Sequence, residues 1–155
     1  MLNRSIYEDG NGGSYLLREF EIIQTESIAV LAYLKMFGGN VEEVTKTENN
    51  TSELRSDWWG NDSTLPSNTW INSKTEKLLR GLSLTNKARY DLINAVKEDL
   101  KSLEEYGTID VQVNYPNLNR VDIIITITEP SKKSSNRLLI AWDATKNEII
   151  ENQII

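Results

Sequence analysis

At Gly107 the apolar periodicity changes from that of a helix to that of a strand, and this change sets the fold class. Upstream, Ala88, Leu92, Val96, Leu100 and Leu103 recur at steps of three or four and form one stripe of a helix. Ser83 or Thr85 opens that helix and Gly107 closes it. Downstream, Thr108 to Asn114 alternates Ile109, Val111 and Val113 against Asp110 and Gln112. After a turn over Tyr115 to Asn119, Arg120 to Thr128 places Val121, Ile123, Ile125 and Ile127 on one face, with Ile124 breaking the polar one. A second turn at Ser131 to Asn136 leads to a third strand, Arg137 to Trp142, and Asn147 to Ile155 is either a short fourth strand or a tail. Neighbouring strands joined by short turns pair antiparallel, so the pattern predicts an α+β fold with helix packed across a β-meander of 3–4 strands.

The first part of the chain is more broken. Asp9 to Gly13 is a turn-forming cluster, and Ser14 to Ile23 reads as a strand. Thr25 is placed to cap a short helix, Glu26 to Phe37, which is apolar over much of its circumference and therefore expected to be buried. Gly38-Gly39 supplies a left-handed stop. Residues 40–68 are polar and irregular, an unusually long loop for a compact domain. Thr69 to Leu79 reads as a further helix, capped by Ser67 or Asn68 and closing at Gly81. The organisation expected is a strand–helix arm over 1–50, a Trp-containing linker over 51–68 and a helix–helix–meander core over 69–155. At 155 residues these make one continuous domain.

Composition narrows the chemistry. With 0 Cys and 0 His the chain has no disulfide, thiolate nucleophile, imidazole base or His-ligated metal, so any enzyme would work with carboxylates, Lys, Tyr or Ser. No glycine cluster has phosphate-loop spacing and no calcium-loop register fits, so neither cofactor nor metal is expected. The 39% hydrophobic content lies below the roughly 45–50% of an average domain, which leaves room for surfaces completed by partners. The net charge of −6 disfavours nucleic acid and anionic membranes. No apolar run is long enough for a leader or a span, and a cytosolic chain is expected. Residues 1–66 hold 11 acidic and 5 basic side chains, and so carry the whole excess. Lys74, Lys77, Arg80, Lys87 and Arg89 then cluster with Glu76 alone among them, either as a solvated helix face or as a contact for an acidic partner or for this chain's own N-terminal region. The pairs Glu42-Glu43, Glu98-Asp99 and Glu104-Glu105 read as solvated surface.

The most unusual local feature is Trp58-Trp59-Gly60, set in the polar loop between Asp57 and Asp62, with Trp70 downstream. Aromatic rings stack on sugars, so a carbohydrate-binding or muramidase-like cell-wall protein using Asp57, Asp62 or Glu53 is one reading. The other is that the rings anchor the loop to its own core or to a partner. The run Arg55 to Asp62, a short spacer, Ser67-Asn68-Thr69-Trp70-Ile71, a helix pair and an alternating meander resembles the Mu-type baseplate protein family of contractile phage tails. That family carries a Gly-Trp-Trp-Gly-Asp stretch followed by Gly-Ser-x-Leu-Trp. Trp58, Trp59, Gly60, Ser67 and Trp70 match, while Asp57 stands for the first Gly and Thr69 for the Leu. The resemblance spans roughly residues 15–128. It implies a non-enzymatic wedge subunit, present in multiple copies, that joins larger wedge proteins where the tail sheath begins. It also implies assembly in the host cytoplasm and a final place in the virion baseplate or a tail-like particle. The resemblance also implies kinship with the small wedge subunit of larger contractile phages, whose family name includes "lysozyme", but no muramidase motif is present here.

A meander also leaves sheet edges. Polar residues interrupt Ile149-Ile150 and Ile154-Ile155, so the 147–155 segment is expected either to offer an edge for a strand from a neighbouring sheath or wedge subunit, or to close that edge itself.

Overall fold

The computed structural model describes residues 28–38, 71, 73–130 and 135–155, with six short strands between residues 3 and 25. The fold is α+β, with helices packed on a four-stranded antiparallel meander. The meander comprises β7 (Thr108–Asn117), β8 (Arg120–Thr128), β9 (Asn136–Asp143) and β10 (Glu148–Ile154), in the spatial order β10-β9-β8-β7. Among the described residues the helices are α1 (Ile28–Phe37), α2 (Lys74–Arg80) and α3 (Asn86–Asp99), followed by a 3-10 turn at Lys101–Leu103.

Alternation decides the sheet. Val111 and Val113, then Val121, Ile123, Ile125 and Ile127, then Leu138, Ile140 and Trp142 are buried on one face. Leu92, Val96, Leu100 and Leu103 from the α3 stripe meet them, and α1 adds Ile28, Ala29, Ala32, Tyr33 and Met36 to the same cluster. Helix α1, read from sequence as part of an arm, is thus a wall of the single core. Tyr33 stacks on Phe37 with ring centroids 5.4 Å apart, and Phe37 on Trp142 at 6.5 Å, which seats α1 against β9.

Several boundaries differ from the sequence expectation, each for a local reason. Six short strands form three antiparallel pairs in place of one strand over 14–23: β1 (Asn3–Arg4) with β6 (Gln24–Thr25), β2 (Ile6–Glu8) with β3 (Gly13–Tyr15), and β4 (Leu17–Arg18) with β5 (Glu21–Ile22). Charges interleaved among the apolar residues of 14–23 give no continuous face for one long strand. Thr25 pairs with Asn3 across β6 and β1, and α1 begins at Ile28. Gly38 does end α1, by close approach: a Cβ there would collide with the Leu34 carbonyl oxygen. Helix α3 ends at Asp99, well short of Gly107, and its stripe continues through the 3-10 turn to Leu103. At its start, Thr85 Oγ1 accepts from the Ala88 N–H at 3.1 Å, as the capping expectation required. Strand β7 runs on to Asn117 through a bulge after Asn114, which narrows the turn to Leu118 and Asn119. Pro116, unable to donate to a ladder, falls in that irregular stretch. The last segment is a strand: Glu148–Ile154 pairs with β9 and closes that edge.

Candidate functional site

Helix α2 starts five residues later than its sequence pattern suggests, and the reason is the most developed polar cluster among the described residues. Its N-terminal N–H groups have no cap from the preceding residue, since Ser73 sits in the left-handed region at φ 49° and makes no side-chain cap bond. The carboxylate of Asp99, from the end of α3, fills that place. Asp99 Oδ1 accepts from the Lys74 N–H at 3.1 Å, and Oδ2 accepts from the Thr75 N–H at 2.8 Å and from Thr75 Oγ1 at 2.7 Å. Asp99 is 6% exposed and Thr75 is fully buried. Burial pushes the Asp99 carboxyl above the ordinary range, against the downward pull of the Thr75 and Lys74 donors and the Lys74 charge. Lys35, on α1, is buried at 5% exposure; burial lowers its ammonium, and the Asp99 charge opposes that shift. The cluster ties α1, α2 and α3 together. Glu98 is the solvated member of the Glu98-Asp99 pair, and Asp99 is a correction to the surface reading. A signal existed: Asp99 adjoins Leu100 on the apolar stripe, and a carboxylate in a helix's last turn opposes the dipole unless donors meet it.

The predicted basic contact divides. Lys74 pairs with Glu98, and Arg80 Nη2 pairs with Glu76 Oε1 at 2.8 Å, so both find partners on α2 and α3 themselves. Lys77 is exposed. Trp58, Trp59, Gly60 and Trp70, with Asp57, Asp62 and Glu53, lie outside the described residues.

Ile149 and Ile150 part company at a bulge. Ile149 stands opposite Trp142 and is 7% exposed, packed in the chain's own core, so it is not a surface for a partner. Ile150 is the extra residue between the Ile149–Trp142 and Glu151–Ala141 pairs and is 42% exposed. Beyond it Ile154 and Ile155 are also exposed. Ile154 lines a small cleft with Asn152, Leu138 and the α1 residues Ala29, Val30 and Tyr33. Its volume, about 30 Å³, suits a water or two, far below the roughly 300–1,000 Å³ of a small-molecule site.

On the opposite sheet face, Arg120 donates to Asp122 Oδ1 at 2.6 Å and to Glu151 Oε2 at 3.3 Å, reaching from β8 to β10 across β9. Both acids hold its guanidinium in the charged form. Ala141, opposite both Asp122 and Glu151 in the ladder, is fully buried on this outer face. Among the described residues no group of three or more His, Cys, Asp or Glu stands together as a metal site, and no helix is long and apolar enough to cross a membrane. No family model, curated protein or solved structure matches the chain.

Proposed function

We propose that this chain is a structural wedge subunit of the baseplate of a contractile phage tail or a tail-like injection particle, linking larger wedge proteins to the start of the sheath. The observation that carries the reading is the outer strand β10, which brings Ile150, Ile154 and Ile155 to the surface at a sheet edge. An outer strand with exposed apolar side chains suits strand addition by a neighbouring subunit, where main-chain hydrogen bonds give affinity and alternate side chains give specificity. The Trp58-Trp59-Gly60 and Trp70 resemblance supplies the kind of assembly. On this reading the chain is not an enzyme, it assembles in the host cytoplasm, and it ends in the particle's baseplate in several copies.

Two measurements test it together. Contractile particles purified from cells carrying the gene should contain the chain by mass spectrometry, and the purified protein should neither bind nor cleave labelled peptidoglycan. Turnover of peptidoglycan, or particles without the chain, would overturn the reading in favour of a cell-wall-active protein.

A further inference from the structure

The two edges of the sheet are protected differently. Strand β7 carries Pro116, a bulge and Asp110, devices that discourage edge-to-edge pairing. Strand β10 has Glu148, Glu151 and a bulge in its first half, but the side chains from Asn152 to Ile155 include no charge and no proline. Pairing with β9 continues to the last of these, since the Ile155 N–H donates to the Arg137 carbonyl at 2.9 Å. A stretch without charged side chains, with Ile154 51% and Ile155 49% exposed, is a template for another chain.

One element of the same chain lies beside it. The backbone of β2 comes within 8 Å of β10, yet β2 is not part of the four-stranded sheet. Its ladder partner is β3, through Ile6↔Tyr15, Tyr7↔Ser14 and Glu8↔Gly13. A hairpin of three pairs is marginal alone, and it can leave β10 without breaking any ladder bond of the sheet. We propose that the β2–β3 hairpin is a displaceable guard of the β10 edge: seated, it keeps this edge from pairing with a second copy of the chain, and displaced, it frees the edge for strand addition. The inference rests on the placement of β2 and β10 and stands apart from the tail reading.

The test uses the full chain and its mass in solution, by light scattering across a wide concentration range. The unaltered protein should run as one chain of 17.7 kDa. Tyr7→Pro, which removes a donor at the centre of β2, should give twice that mass as concentration rises. Adding Ile154→Lys should return it to a single chain. A Tyr7→Pro protein that stays single would overturn the proposal. So would an unaltered chain that pairs as readily, or pairing that survives Ile154→Lys. If Tyr7→Pro unfolds, Ser14→Pro breaks the same pair from β3. Unfolding of both would make the hairpin an obligatory part of the core, which equally excludes a removable guard.

Discussion

Asp99 does from another helix what a cap residue ordinarily does from the position before the first turn. Truncating it leaves two N–H groups and the Thr75 hydroxyl without their acceptor in a buried place, and removes an anion beside buried Lys35. Asp99→Ala should therefore lower stability by about 2–4 kcal/mol in denaturant unfolding. The pH dependence has a definite sign. Burial raises the folded-state value above the ordinary 3.8, so the native state holds this proton more tightly than the unfolded chain does. Its contribution is greatest below 3.8 and declines as pH rises through the raised value. Asp99→Asn removes that titration, so the stability gap between wild type and variant should shrink between about pH 3 and pH 7; a widening gap would contradict the assignment. Ala141 shows the same dependence on its neighbours. With Arg120 reaching across β9 to Glu151, Ala141→Leu has no room on its face and should cost about 1–3 kcal/mol, whereas Thr126→Val, on the half-buried part of that face, should cost less.

At the scale of elements, the turn between β9 and β10 sets the register of the outer strand. Asp143 Oδ1 accepts from the Thr145 N–H at 2.8 Å and the Lys146 N–H at 3.1 Å, and Asn147 takes φ 55°, a left-handed conformation that Asn tolerates. Asn147→Gly should be near neutral in thermal unfolding, and Asn147→Val should cost about 1–2 kcal/mol because a β-branched residue resists that φ. Elements of this kind mark where the sequence was legible. The meander and the α3 stripe could be read because burial on one face leaves a period, 2 or 3.6, that local composition does not blur. The N-terminal pairs and the late start of α2 could not, because they depend on partners remote in sequence: Asn3 opposite Thr25, and Asp99 capping Lys74 and Thr75. Of the candidate contact residues, the exposed Ile150 and the core Ile149 read alike in sequence, and only the bulge between them separates their fates. The charge cluster was half legible. Its basic residues were found, but Glu98 and Glu76 meet two of them, so reversing Lys74, Lys77 and Arg80 to Glu should create like-charge pairs and lower stability by about 1 kcal/mol at low salt, less at high salt.

For the whole molecule, one core joins α1, α2, α3 and the meander, and the sheet presents β10 as its outer strand. Strand β10 has two roles, divided along its length. Its first residues belong to the fold through Ile149, so removing 147–155 should destabilise the chain by several kcal/mol as well as strip the edge; truncation alone therefore cannot separate assembly from folding. Substitution at the exposed positions can. The most direct measurement replaces the wild-type gene with one carrying Ile150→Lys and Ile154→Lys, confirms by thermal unfolding that the purified variant is folded, and examines the particles by electron microscopy. The wedge account predicts a protein that melts close to wild type and cells that no longer make full-length contractile tails. Full-length, sheathed tails from cells carrying the variant would contradict it.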